Sequence, residues 1–234
     1  MDIFTHTMAG LAIGALSGQP AALTNPLCLS CVLGAVAPDI DVTWGYNKLK
    51  KRKSLPGWLQ HRSITHSLLG MPTLALFIAI TIKWFFPETS FWFLFIFALL
   101  GTLSHSLLDL TNYHGVKLLW PLSPKSYSLN ILPLIDPVVI VLFIITVISR
   151  IWQQSLPPVI FLVLFCYIVL RWYFFYHVRN HVSDYYEVAP SSIQLIPPPM
   201  SLRKWCFSIA ESGEDISGEI TFFPRINLLE DHQD

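Results

Sequence analysis

The sequence is poor in charged residues, which make up only 13% of its 234 residues. Soluble domains contain about a quarter charged residues. With 53% apolar residues and a mean hydropathy of +0.53, the chain is predicted to reside in the lipid bilayer. Its one basic run, residues 48–53, is short and lacks interleaved aromatic residues. That run is typical of a juxtamembrane topology signal, so no nucleic-acid partner is expected.

Cysteine is also scarce, which disfavours a cysteine-based metal or redox centre. Of the four cysteines, Cys28 and Cys31 form a Cys-x-x-Cys pair inside the apolar run 26–36, and no second pair follows. This pattern favours ordinary helix packing. The amino terminus lacks the basic region and the small-residue cleavage site of a secretory signal, so we expect it to stay attached.

Long apolar segments define the predicted fold. Four of them can span about 30 Å of hydrocarbon at about 1.5 Å per residue, namely residues 66–86, 91–110, 134–152 and 156–177. Two earlier segments, 7–17 and 25–37, are shorter and rich in glycine and alanine, as in closely packed helix pairs. Whether these two span the bilayer is open. The predicted fold is all-α, a polytopic transmembrane bundle of four long helices plus two shorter N-terminal helices.

The loops and the C-terminal segment differ in charge. Long loops at 38–65 and 111–133 alternate with tight turns, and they carry most of the Lys and Arg residues, so their face is predicted to be cytoplasmic. From residue 184 on, nine acidic residues outnumber three basic ones, and short alternating stretches follow a Pro-rich run. We therefore predict a membrane-embedded domain over 1–186 and a small cytoplasmic tail of mixed or β character, with a hairpin, over 187–234.

Histidine and acidic residues gather on the face that carries the long loops. Of the six carboxylates in residues 1–183, only Glu88 lies on the opposite face. Ionisable groups near lipid are costly, so this concentration indicates a function. The candidate metal ligands are His6, His61, His66, His105 and Asp109, and the candidate catalytic residues are Asp39, Asp41 and Arg62.

The spacing of these residues suits a shared divalent ion. His105 and Asp109 are four residues apart, which places them on one face of a helix. His61 and His66 bracket Arg62 at a predicted helix start, where Ser63 or Thr65 could cap the helix. A set of His and Asp ligands that leaves a position for water is typical of hydrolytic zinc sites, and the set is large enough for one or two ions.

Several motifs together resemble a known family. They are Met1-Asp-x-x-Thr-His6, Pro38-Asp-Ile-Asp41, His61-Arg-Ser-x-Thr-His-Ser67, Ser104-His-x-Leu-Leu-Asp109 and Trp120-Pro-x-Ser123. Over residues 1–150 the chain resembles the YdjM-like, LexA-regulated, membrane-bound metal-dependent hydrolases. The resemblance implies a bacterial inner-membrane protein with a hydrolase site at the candidate positions. The His-x-x-x-Asp element is also similar to one in zinc-dependent phospholipase C, a short similarity that serves as analogy.

The function predicted from these observations is hydrolysis of a phosphoester or lipid-like substrate at the cytoplasmic face. A bound zinc ion would activate water, Asp39 or Asp41 would ligate it or act as base, and Arg62 would meet the developing negative charge. Two alternatives remain: a metal-binding transporter, and a regulatory or scaffold protein in which the metal holds loops together. Transporter sites usually lie near mid-bilayer, whereas the mid-helix positions here are apolar. The sequence does not indicate the oligomeric state.

Overall fold

A computed structural model describes residues 1–18, 21–39, 64–152, 155–211, 214–221 and 228–231. Within these residues the chain forms six α-helices followed by four strands. The helices are α1 (Ile3–Gly14), α2 (Pro26–Val36), α3 (Gly70–Phe85), α4 (Phe91–Leu110), α5 (Pro137–Ile151) and α6 (Pro157–Tyr186). Short 3₁₀ turns extend α1 and α2, over Ala15–Ser17 and Ala37–Asp39.

The membrane character of the helices is confirmed, but four long spans are not. Among the described residues, α4 with 20 residues and α6 with 30 are long and apolar enough to cross a bilayer. The helices α3 and α5 have 16 and 15 residues. At about 1.5 Å per residue these two fall short of a hydrocarbon core of about 30 Å. Apolar side chains in the adjoining turns extend the hydrophobic runs in the sequence, so the lengths of both helices were overestimated.

Helix boundaries differ from the predicted ones where side chains cap the backbone. The first helix begins at Ile3 instead of residue 7, because the Asp2 carboxylate accepts hydrogen bonds from the Thr5 amide. The third begins at Gly70 instead of residue 66. Thr65 does not cap it; instead the Ser67 hydroxyl accepts a hydrogen bond of 2.9 Å from the Gly70 amide. Residues 64–69 therefore form a turn, called here the His66 turn.

Close backbone contact between α2 and α4 forms the centre of the bundle. A Cβ atom on Gly34 would lie 2.2 Å from the carbonyl oxygen of Ala98, and one on Gly101 would lie 2.1 Å from that of Cys31. Only glycine permits this approach, as in other closely packed membrane helices. Cys28 and Cys31 are reduced thiols buried in α2, in agreement with their interpretation as packing residues.

The C-terminal segment forms an antiparallel sheet instead of a single hairpin. Its strands, in the order β1-β2-β3-β4, are β1 (Ile193–Ile196), β2 (Lys204–Glu211), β3 (Glu214–Thr221) and β4 (Leu228–Asp231). Alternate residues Trp205, Phe207 and Ile209 of β2 are buried with Val178 and Val182 of α6, as expected for a strand with one covered face. The β character of the tail is thus confirmed, while its cytoplasmic location and the domain division at residue 186 stay predictions.

Candidate metal centre

Three segments that are distant in sequence bring imidazole and carboxylate groups together at one end of the bundle. His105 and Asp109 lie on the last two turns of α4, His66 lies in the turn before α3, and Asp39 ends the 3₁₀ turn after α2. One ligand atom from each of these four residues lies within 4.8 Å of the corresponding atom of every other. We call these four residues the ligand group.

Five distances between ligand atoms of this group are 3.9 Å or shorter. Nε2 of His66 lies 3.0 Å from Nε2 of His105 and 3.6 Å from Oδ2 of Asp109. The Asp39 carboxylate oxygen Oδ1 is 3.5 Å from Nε2 of His105 and 3.9 Å from Nε2 of His66. Nε2 of His105 lies 3.8 Å from Oδ2 of Asp109. The four ligand atoms thus form a compact group.

This arrangement fits a tetrahedral divalent ion. Zinc binds imidazole nitrogen and carboxylate oxygen at about 2.0–2.2 Å, which places neighbouring ligand atoms of a tetrahedron roughly 3.3–3.6 Å apart. The five separations given above lie within about half an ångström of these values. Because two imidazoles and two carboxylates contribute no thiolate, the group also suits other borderline or harder cations such as Mn²⁺ or Fe²⁺.

Burial strengthens the case that the group holds a cation. The side chains of His66, His105 and Asp109 have exposed fractions of 0%, whereas Asp39 is 13% exposed. An ionised carboxylate is costly to bury unless it is paired or binds a metal. The partly exposed Asp39 marks the side from which the group can be reached, among the residues that the structure describes.

The backbone of α2 fixes the orientation of the His105 ring. Nδ1 of His105 lies 2.7 Å from the carbonyl oxygen of Ala35. A carbonyl only accepts, so Nδ1 carries the hydrogen, and in the neutral ring Nε2 presents its lone pair to the other ligand atoms. Such a hydrogen bond on the far nitrogen is typical of metal-ligating histidines. The close approach at Gly34 and Gly101 makes this contact possible.

His66 is held by its neighbour in the chain. The Thr65 hydroxyl lies 2.9 Å from Nδ1 of His66, while Nε2 faces the ligand group. Burial lowers the pKa of His66 despite the hydrogen bond to Asp109. A lowered pKa keeps the imidazole neutral at physiological pH, which is the form that binds metals.

Asp39 is the second carboxylate of the ligand group. Burial acts to raise the pKa of Asp39, but the hydrogen bond and the charge interaction with His105 outweigh it, so the pKa lies below its usual value. The carboxylate is therefore ionised at neutral pH. The sequence suggested that Asp39 ligates the ion or acts as base, and the geometry places it among the possible ligands.

His6 lies beside the ligand group on the other oxygen of Asp109. Its ring stacks on His105 with centroids 3.8 Å apart, and its Nε2 is 3.4 Å from Oδ1 of Asp109. The amino group of Met1 also contacts Oδ1. Nδ1 of His6 is fully buried and has no hydrogen-bond partner among the described residues. His6 is thus positioned to orient Asp109, or to offer one further ligand.

Three of the candidate residues, Asp41, His61 and Arg62, lie outside the described residues, so their roles stay predictions. Two other acidic residues near the same face are N-caps of helices. Asp2 caps α1, and Asp136 caps α5 while it accepts a 2.7 Å hydrogen bond from the Tyr167 hydroxyl.

Sequence reasoning missed the two groups that orient the histidines. Thr65 directly precedes His66, and a hydroxyl beside a candidate ligand is a usable signal for an orienting residue. The carbonyl of Ala35 carries no such signal, because every residue has one. Only the proximity of α2 and α4 reveals it.

Comparisons with known proteins identify the family of the chain. The YdjM inner membrane protein family matches residues 1–178, the part of the chain that contains the ligand group. An uncharacterized protein, YfhP of Bacillus subtilis, is 23% identical over 245 aligned positions, covering 98% of this chain and 72% of the relative. No solved structure matches the chain significantly. Because the family match extends over three quarters of the sequence, the chain belongs to the YdjM inner membrane protein family.

Proposed function

We propose that the chain is a membrane-bound, metal-dependent hydrolase that acts on a phosphoester or lipid-like substrate at the cytoplasmic face of the bacterial inner membrane. The observation that carries the proposal is the ligand group itself, with two imidazoles and two carboxylates whose ligand atoms lie within 4.8 Å of one another. Buried ionisable residues next to a membrane usually mark functional sites.

The composition of the ligand group favours a catalytic ion over a purely structural one. Structural zinc sites are closed and commonly contain cysteine, whereas catalytic sites use His and carboxylate ligands and keep one position accessible. Here the partly exposed Asp39 provides the accessible side. We propose one zinc ion per chain at this group, with His6 supporting Asp109 from behind.

We propose the following reaction at this group. When bound, a divalent ion acts as a Lewis acid that activates water near neutral pH. In the hydrolysis of a phosphoester, the water oxygen bonds to phosphorus, the ester P–O bond breaks, and the leaving alcohol takes a proton. His66 and His105 would present their Nε2 atoms to that ion, because Thr65 and the Ala35 carbonyl contact the opposite nitrogens. We further propose Asp41 as the base and Arg62 as the contact to the phosphoryl oxygens.

We also propose the membrane topology that this function requires. All four later helices would cross the bilayer, with α3 and α5 completed by the turns that flank them or by local thinning of the bilayer. The ligand group and the C-terminal sheet would face the cytoplasm, as the distribution of Lys and Arg in the loops favours.

A second candidate is a protein in which the metal only holds segments together. It is supported by the positions of the ligands, because Asp39, His66 and His105 come from three separate segments and one ion would link them all. In that case metal removal would lower the stability of the protein, and the metal-loaded protein would hydrolyse nothing.

The proposal is tested by metal analysis and a hydrolysis screen on detergent-purified protein. We expect wild type to contain about one ion per chain and His105→Ala to contain almost none. His177→Ala is the matched control, because His177 lies on α6 outside the ligand group, and it should retain the metal. The screen compares a water-soluble phosphodiester with phospholipids after metal is restored.

Thermal melting of the three proteins identifies variants that fail to fold. Equal metal content in wild type and His105→Ala would contradict the site. Bound metal in wild type without hydrolysis of any phosphoester or lipid would contradict the hydrolase and support the metal as a structural element.

A further inference from the structure

An apolar groove of about 350 Å³ lies next to the ligand group. Its floor and walls come from the His66 turn, the first two turns of α3, and residues 120–121 of the long loop before α5. A hydrogen bond of 2.9 Å from the Leu68 amide to the carbonyl oxygen of Leu118 fixes this loop against the turn. The groove is therefore built by defined contacts between two loops and a helix.

The groove is lined almost entirely by apolar surface and opens on the outer face of α3. Ile64, Leu74, Trp120 and Phe77 contribute to its lining, and Phe77 is 66% exposed. The outer face of an apolar helix in a membrane protein contacts hydrocarbon chains. The groove is thus continuous with the exposed apolar face of α3, a surface that hydrocarbon chains would cover in a bilayer.

One end of the groove reaches the residues that hold His66. Thr65 and Ser67, on either side of His66, both line it, and the Thr65 hydroxyl contacts Nδ1 of His66. From Gly70 to Phe77 the groove follows the helix for about 10 Å at about 1.5 Å per residue. An extended hydrocarbon chain in the groove would therefore run from the membrane interior toward the ligand group.

We propose that this groove receives one acyl chain of the substrate, so that the substrate is a membrane phospholipid whose phosphate is presented to the ligand group. The inference rests on the hydrolase proposed above and specifies its substrate class. The walls of the groove bind the hydrocarbon chain, while the ligand group acts on the phosphate of the headgroup. A water-soluble phosphodiester has no acyl chain and therefore does not occupy the groove.

Filling the groove tests this proposal. Thr73 lines the groove, and Thr73→Trp places an indole in it. The matched control is Ile80→Trp, because Ile80 is 55% exposed on the same helix and does not line the groove. Wild type and both variants are reconstituted in vesicles that contain a phospholipid with a diazirine in one acyl chain. Crosslinked peptides are then mapped, and metal content is measured in parallel.

We expect crosslinks to concentrate on peptides of the His66 turn and α3 in wild type and Ile80→Trp. In Thr73→Trp the crosslink yield on these peptides should fall about tenfold. A loss of this size is expected when the indole displaces roughly two methylene groups of the acyl chain from the groove. Metal content should be equal in all three proteins. Equal crosslinking in Thr73→Trp and Ile80→Trp, or crosslinks spread evenly around all helices as for bulk lipid, would overturn the acyl-chain site.

Hydrolysis measurements separate this inference from the proposed function. Thr73→Trp should lose hydrolysis of the long-chain phospholipid while it retains that of the water-soluble phosphodiester, and Ile80→Trp should retain both. If Thr73→Trp loses hydrolysis of both substrates equally, the groove is not a substrate site. If wild type hydrolyses neither substrate but the filled groove still abolishes crosslinking, the acyl-chain site is supported and the proposed hydrolase is overturned.

Discussion

One end of the helical bundle and the C-terminal sheet bury different kinds of side chain. At the end of the helical bundle, His6, His66, His105 and Asp109 are fully buried, although ionisable groups are costly to bury. The sheet instead buries Trp205, Phe207 and Ile209 against Val178 and Val182 of α6. An apolar core stabilises a fold by itself, whereas buried carboxylates need a positively charged or hydrogen-bonding partner such as a metal ion or the Met1 amino group. The difference separates a region that could hold a metal ion from one that is stabilised by apolar packing.

The two regions meet at Arg171 on α6. Its guanidinium donates hydrogen bonds to the carbonyl oxygens of Ile131 and Leu202 at 2.9 and 2.7 Å and lies 4.7 Å from the centre of the Trp205 ring. A buried arginine with these partners links the loop before α5 to the segment before β2. Substitutions in either region therefore test whether the sheet and the ligand group depend on each other.

Removal of the largest side chain in the sheet should produce the greatest loss of stability. Trp205 is fully buried, and Trp205→Ala is expected to cost about 3–5 kcal/mol of unfolding free energy, because it leaves a large cavity. Metal content should not change if the two regions are independent in function. Trp172→Ala, at a position on α6 that is 54% exposed, serves as the control and should cost less than about 0.5 kcal/mol. Loss of metal in Trp205→Ala would show that the sheet supports the ligand group.

A side chain between α2 and α4 should damage both stability and metal binding. A Cβ on Gly101 would lie 2.1 Å from the Cys31 carbonyl oxygen, so Gly101→Val must separate the helices, at a cost of about 1–3 kcal/mol. The separation also removes the Ala35 carbonyl from His105. Melting temperature and metal content should both fall, and Leu100→Val, on the exposed side of α4, should leave both nearly unchanged. Full metal content in Gly101→Val would show that the Ala35 contact is not needed.

Loss of the hydroxyl beside His66 should weaken metal binding without unfolding the protein. Thr65→Val removes the contact to Nδ1 of His66, and the loss of such an orienting partner typically lowers metal affinity about 10- to 100-fold. Titration with a competing chelator measures the affinity. Thr81→Val removes an exposed hydroxyl that bonds only within α3, and its affinity should match that of wild type. Equal affinity in the two variants would mean that Thr65 does not orient His66.

The smallest effect is expected at Asp2, the acidic residue that caps α1. Asp2→Ala removes the acceptor for the Thr5 amide and should cost about 1 kcal/mol of unfolding free energy, while Asp2→Asn should restore most of it. Metal content should remain at the wild-type value in both variants. A fall in metal content would place Asp2 in the metal centre and extend the chemically active region to the start of α1.

The sequence predicted the spacing of His105 and Asp109 better than the lengths of the helices. The i, i+4 spacing of His105 and Asp109 follows from helix geometry alone, and the spacing is preserved on α4. The length of α3 was overestimated because the apolar residues of the His66 turn continue the hydrophobic run, while Ser67 caps the backbone only at Gly70. Hydropathy measures the composition of a segment, and capping hydrogen bonds decide where its helix begins.

By itself the sequence determined that the chain is a helical membrane protein with His and Asp residues at one end of its helices, because hydropathy and helical spacing are local properties. Only the tertiary structure decided which of these residues share a site. It placed Asp39 with His66, His105 and Asp109, assigned Asp2 and Asp136 to helix caps, and oriented His105 through the Ala35 carbonyl. These outcomes depend on how closely α2 and α4 approach each other, and that distance is a property of packing between segments far apart in the chain.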